Sequence, residues 1–332
     1  MIRRHIMLAV LPLSRCLLEQ EIEICDSLTI YPAGQWEGLS SIGELPPSTS
    51  IAALATNTSG ISPEVIESSA LVVFCDDSRL ASPSDVSHKD ALFFLEKIVA
   101  ECESRLDIAR FDKCRFDLPD TLFGRVGTWD GSNGSSGGVF FDLRNNETHF
   151  IGGRYLVSTV TVGIGLDFNV YRPSYQHRKD EIGNVVKQAL TIFRHALEAP
   201  DWTSKYLHCI RLFEVLADPF QLSNSNKWEK VRSKLCIHLA GDRQSYLALA
   251  DRFKFFGNVG IGSARGLRER VIHHGELLEN MFDASDELRK LFKEIQGYIH
   301  GVLVDLMRFE GSSWQQVDEW RRLRLVSFGI RN

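Results

Sequence analysis

The spacing of apolar positions changes partway along the chain. Up to about residue 175 they come in short runs. Residues 5–11 and 21–30 are rich in Ile, Leu and Val with partial alternation, and 71–74 is a brief apolar run; each predicts a strand. The tract 154–162, dominated by β-branched residues, predicts another. Leu92, Leu95, Val99 and Cys102 recur at intervals of three and four and predict a helix over 88–103. Residues 40–60, with Pro46-Pro47, and the Gly/Ser-rich tract 131–138 read as loops.

Beyond about residue 176 the period is helical. Ile182, Val185, Val186, Ala189, Leu190, Phe193, Ala196 and Leu197 form one stripe that stops before Pro200. Asp201 is placed to cap a second helix carrying Trp202, Tyr206, Cys209, Ile210, Phe213 and Leu216. A third is expected near 226–240 with Gly241 at its C-terminal cap, a fourth opens at Asp242, and a long one spans 284–309 with Asp286 and Glu287 in its first turn. Several amphipathic helices with short connections favour an antiparallel helical bundle. The expected organisation is a mixed α+β domain over 1–175 followed by an all-α domain over 176–332.

At 332 residues the chain is long enough for two domains. Its charge is split unevenly: 176–332 carries 24 Lys and Arg against 20 Asp and Glu, the rest 14 against 23. The basic excess is compatible with a polyanion partner. No run approaches the ~18 apolar residues of a membrane span, so no membrane association is expected. The start of the chain imitates a signal peptide, but Pro12 and Arg15 interrupt the apolar stretch and a strand is the better reading. Seven scattered cysteines without a Cys-x-x-Cys pair point to reduced thiols, a cytoplasmic location and no cysteine-based zinc site.

Chemistry concentrates in Gly266-Leu267-Arg268-Glu269-Arg270-Val271-Ile272-His273-His274-Gly275-Glu276. Arginines, imidazoles and carboxylates share one short segment. Were it α-helical, Arg268 and His273, five positions apart, would be offset by roughly 140°. A break in the helix or a second copy of the chain is then needed to bring them together. Other Arg-to-His spacings, Arg144 to His149, Arg172 to His177 and Arg232 to His238, lack the apolar Val271-Ile272 pair, the closing glycine and the long helix that follows.

The segment resembles the motif of HEPN domains, and Leu267 to Gly275 looks most like their ApeA-like branch in bacterial phage-defence proteins. Ala189 to Glu198 and Ile210 to Leu216 are similar to that branch's first two helices. The resemblance covers about 180–310. It implies a HEPN-like antiparallel helical bundle and a metal-independent endoribonuclease without cofactor, in antiviral defence, abortive infection or toxin-like growth arrest. An imidazole with pKa near ~6.5 suits removal of a ribose 2′-hydroxyl proton, and a guanidinium suits a phosphate. The resemblance makes His273 the general acid/base, His274 its possible substitute, Arg268 the phosphate binder and Glu269 the group orienting one of them. Arg270 and Arg265 are candidate substrate contacts, Arg270 also being readable as a solvated helix charge.

The implied partners are RNA, a second copy docking through the bundle and a trigger or regulatory protein at the first domain. The alternative is a non-catalytic dimerisation or phosphate-ligand-binding module. The remaining candidates have simpler readings: Glu214 as a solvated or ion-paired residue, His208 and His238 as core or surface histidines, Gly257 to Gly262 as a connector and Asp76-Asp77 as a turn.

Overall fold

The computed structural model describes residues 7–35, 62–76, 91–118, 121–129, 135–142, 147–154, 166–167, 175, 178–220, 227–257, 265–282 and 284–330. The chain forms two compact units, Met1–Cys114 with Pro119–Ser174, and Arg115–Leu118 with Tyr175–Asn332. It is a mixed α+β protein. No described helix is long and apolar enough to cross a membrane.

The first unit is built on a six-stranded antiparallel sheet. Its strands are β1 (Met7–Leu13), β3 (Ile22–Cys25), β4 (Leu28–Tyr31), β5 (Ala70–Asp76), β6 (Ser135–Asp142) and β7 (Glu147–Arg154), in the order β3-β4-β5-β1-β6-β7. A separate parallel pair joins β2 (Cys16–Leu17) to β8 (Leu166–Asp167). Central β1 is buried along its whole length. Both faces of the sheet are covered, so the strand loses the alternation of a half-exposed one. Leu8, Val10, Leu71, Val73, Val139 and Phe141 bury one face against Trp129 and Ile66, the latter from the short helix α1 (Pro63–Glu67). On the other face lies α2 (Ala91–Lys113), where Phe94 meets Phe140 edge-on at 5.3 Å and Arg105 sits over Phe74.

Three differences from the sequence reading have local causes. Residues 21–30 form the hairpin β3–β4 rather than one strand. The stretch 135–138 is strand, because a Cβ on Gly138 would lie 2.3 Å from Leu11 Cδ2: the glycine is there for close approach of β6 to β1. Helix α2 continues ten residues past 103 because Glu103, Asp107 and Arg110 lie on its buried side and interrupt the apolar period. Residues 155–162 of the expected fourth strand, and 131–134 of the loop, lie outside the described residues.

Those three polar groups pair with one another. Arg110, 1% exposed, pairs with Glu103 at 2.6 Å and Asp107 at 3.3 Å, and stacks on Phe123. Glu103 Oε1 also accepts from the Val126 backbone at 2.6 Å, fixing the chain that follows the helix. Removing the cation strands two carboxylates in a dry interior. Arg110→Met should therefore destabilise the first unit by about 3–5 kcal/mol, read from chemical denaturation followed by the sheet's circular dichroism signal.

The described part of the second unit is helical: α3 (Glu181–Glu198), α4 (Trp202–Ala217), α5 (Lys227–Leu239), α6 (Arg243–Phe256), α7 (Ser285–Arg308) and α8 (Trp314–Ser327). Asp180, Asp201 and Asp242 each accept a backbone N–H of the first turn they cap, and Ser313 with Gln316 forms a capping box on α8. Helix α7 buries Leu288, Leu291, Phe292, Ile295, Ile299, Val302, Leu303 and Leu306 and packs against α3, α4 and α5. Phe116 completes this core. Its ring lies 4.7 Å from Phe193, its N–H donates to Gln296 Oε1 at 2.7 Å, and its carbonyl accepts from Lys205 Nζ at 3.0 Å. Burial lowers the Lys205 pKa, and the rings of Trp202 and Phe292 flank the ammonium.

Helix α8, absent from the sequence reading, is tied in by Arg321. It donates to the carbonyls of Leu216 and Ala217, both at 2.9 Å, capping the C-terminus of α4, and to His238 Nε2 at 2.8 Å. A guanidinium only donates, so Nε2 must be the acceptor and Nδ1 carries the proton shared with Asp305 at 2.6 Å. Burial pushes His238 down to about 4, Arg321 adding to the shift and Asp305 opposing it. The folded imidazole stays neutral where the unfolded one, near ~6.5, takes up a proton. Stability from this group is complete above about pH 6.5 and is lost as pH falls towards 4. Urea denaturation at pH 7.5 and 5.5 should show a larger loss on acidification for the wild type than for His238→Gln.

Candidate functional site

The motif segment runs along one face of α4. At its start Glu269 N–H reaches back to the Gly257 carbonyl at 3.3 Å, just past the end of α6. Gly257 has no room for a side chain, since a Cβ would fall 1.7 Å from Trp228 Nε1. Residues 258–262 of the glycine-rich connector lie outside the described residues. Leu267 and Val271, four apart, are buried and anchor the turn, while Ile272 faces out.

Residues Glu269–His273 form a π-helical turn rather than an α-helical one. Its i to i+5 hydrogen bonding widens each turn by about one residue. Gly275 closes it with φ +66°, a conformation that costs a residue with a Cβ roughly 1–2 kcal/mol. Glu276 N–H then returns to the Arg270 carbonyl at 3.1 Å, six residues back. A Schellman closure of an α-helix spans five, so the extra residue matches the wider turn.

Two clamps hold the segment to α4. Arg268 Nη2 meets Glu214 Oε1 at 3.4 Å, and its side chain is 14% exposed. Eleven residues towards the start of the same helix, Thr203 Oγ1 accepts from Leu278 N–H at 2.7 Å and donates to Glu279 Oε2 at 2.5 Å. Glu279 Oε1 also accepts from Thr203 N–H at 3.0 Å. Burial raises the Glu279 pKa, but the hydrogen bonds from Thr203 together with those from the backbone of Glu279 itself and of Trp202 outweigh it and hold the carboxyl below its usual range. The chain between the clamps therefore spans about three turns of α4.

The imidazoles lie on this span and face water. His273 is 52% exposed and its Nε2 is 3.9 Å from one oxygen of Glu269; His274 is 36% exposed and its Nε2 is 3.9 Å from the other. Glu269 thus sits between the two rings. Arg265 Nη1 lies against His274, 2.7 Å from Nε2. Arg270 is engaged by Glu276, with Nε at 2.9 Å and Nη2 at 2.6 Å from the same oxygen. Arg270 lowers the Glu276 pKa.

The sequence candidates are accordingly brought together in part. Arg265, Glu269, His273 and His274 form one exposed cluster. Arg268 is turned inwards, towards Glu214, and Arg270 towards Glu276. Among the described residues no group of three or more His, Cys, Asp and Glu is placed to hold a metal ion. Sequence reasoning missed the Thr203–Glu279 clamp, for which no local signal exists. Glu214 had one: a carboxylate within Leu212-Phe213-Glu214-Val215-Leu216, where every neighbour is apolar and buried. His208 lies 5.8 Å from His195, ring to ring, across α3 and α4, and burial lowers its pKa.

The chain matches no protein-family model, no curated protein and no solved structure in the three comparisons made with known proteins.

The π turn depends on the left-handed closure at Gly275. Gly275→Ala should cost about 1–2 kcal/mol locally, and faster amide exchange over 269–276 than in the wild type, with α7 unchanged, is the expected readout.

Proposed function

We propose that the second unit is a HEPN-like helical bundle acting as a metal-independent endoribonuclease, with its site on the π-helical turn. The observation that carries this reading is the exposed pair His273 and His274, each 3.9 Å from a different oxygen of Glu269. Cleavage by 2′-oxygen attack needs a base and an acid at once. One neutral imidazole takes the 2′-hydroxyl proton, the 2′-oxygen bonds to the adjacent phosphorus, and the P–O5′ bond breaks. A second, protonated imidazole delivers a proton to the departing 5′-oxygen. The products are a 2′,3′-cyclic phosphate and a 5′-hydroxyl.

Glu269, between the two rings, orients them. Arg265 supplies positive charge to the phosphate, and Arg268, its charge largely met by Glu214, adds a smaller share while anchoring the turn. A second copy of the chain would contribute its own imidazoles. Exposed Ile272 and Leu277 beside the histidines give such a copy apolar surface to cover.

The same charges without turnover make a phosphate-ligand-binding module, a reading favoured by the pairing of Arg268 with Glu214. Incubating wild type, Arg268→Ala and His273→Ala with total RNA in EDTA separates the two. The expected result is chelator-resistant cleavage, lowered by about 100-fold or more in His273→Ala. Arg268→Ala should lose activity through both charge and anchoring of the turn. Growth arrest on expression should follow the same order. A well-folded wild type that leaves RNA intact removes the catalytic reading.

A further inference from the structure

Charge bookkeeping around the turn leaves one cation uncompensated on the helix beneath it. Arg268 is matched by Glu214, Arg270 by Glu276, and Glu269 lies between the imidazoles. Arg211 on α4 is exposed, and among the described residues it has no carboxylate partner. It lies three residues before Glu214, so their Cβ atoms are about 5–6 Å apart. Its other helical neighbours, Leu207, His208 and Val215, carry no negative charge. Because the motif segment spans α4 from Glu214 back to Thr203, Arg211 borders it one turn from the Arg268 clamp.

We infer that Arg211 is a phosphate-binding residue of this site, gripping a phosphate of a single-stranded RNA laid between α4 and the π turn. The inference rests on the ribonuclease reading for the identity of the polyanion. Arg268, largely buried against a carboxylate, offers a phosphate little net charge, whereas Arg211 presents a whole one to water. A guanidinium there can hold two phosphate oxygens at once, which an ammonium cannot reproduce. A single strand is the fitting substrate form, because in-line attack by a 2′-oxygen needs a backbone that the A-form duplex does not adopt.

The test is fluorescence anisotropy with a labelled single-stranded RNA, 2′-O-methylated throughout so that it binds without being cut, titrated over a range of salt. Arg211→Ala should weaken binding by about tenfold at low salt. It should also make the slope of log Kd against log salt shallower by about 0.7, the signature of one lost phosphate contact to a single strand. Arg211→Lys should keep the slope and recover part of the affinity. Arg322→Ala, an exposed arginine of α8 already paired with Glu319, serves as the control and should change neither. Unmodified RNA is cleaved in parallel. Unchanged affinity and slope in Arg211→Ala, with cleavage by wild type intact, overturns the role of Arg211 alone. Arg211-dependent binding without cleavage upholds it and removes the catalytic reading. Wild type that neither binds nor cuts RNA overturns both.

Discussion

A guanidinium taken out of water has to be met by carboxylates or carbonyls, and in this chain that requirement fixes where elements distant in sequence come to lie. Arg110 draws Glu103, Asp107 and, through Glu103, the backbone at Val126 into one cluster beneath the sheet. Arg321 joins α8 to the end of α4 and to His238. Arg268 joins the motif turn to Glu214. Hydrophobic burial supplies the driving force in both units but is indifferent to register. The donors of a planar guanidinium are satisfied in one arrangement, and breaking it leaves a buried charge without a partner.

This explains which parts of the structure could be read from the chain. Helices α3, α4, α6 and α7 announce themselves by apolar stripes, and Asp201 and Asp242 cap as their positions suggest. Strand β1 is legible as an apolar run, and β5 likewise. Each of these signals is local. The failures share the opposite property. The apolar period ends before helix α2 does because its buried face turns polar, and that polarity makes sense only once Arg110 is seen among its partners. The glycines of β6 look like loop until the adjacent β1 supplies Leu11. Phe116 offers no hint that Gln296 and Lys205, far along the chain, will satisfy its peptide groups.

The candidate site divides along the same line. The Arg–His segment, its apolar anchors and the closing glycine are all visible in sequence, and Gly275 does adopt the left-handed conformation that such a closure requires. The π-helical winding has no local signal in the sequence. The segment that carries it is held by contacts to another helix, Glu214 at Arg268 and Thr203 at Leu278 and Glu279, which no local pattern announces. The apparent conflict between Arg268 and His273, five positions apart, arose from assuming α-helical geometry. In the structure Arg268 turns inwards to Glu214 while His273 faces water, and the outward display of two adjacent imidazoles follows from burying Leu267 and Val271 on the inner side.

Anchoring and ligand binding make opposite demands on an arginine. An anchor works best when desolvated and neutralised, while a phosphate is held best by a charge that has not already been spent. One residue in the position of Arg268, with Glu214 against it, serves the first demand well and the second poorly. A site that needs both is then better built from two guanidinia a helical turn apart. In the proposed reading the buried one fixes the turn that carries the imidazoles, and the exposed one meets the polyanion. Because α4 carries both Glu214 and Arg211, the element that positions the motif turn would, under the proposed reading, also position the charge that meets the substrate. Their separation is then set by the rise of a single helix rather than by the packing of two.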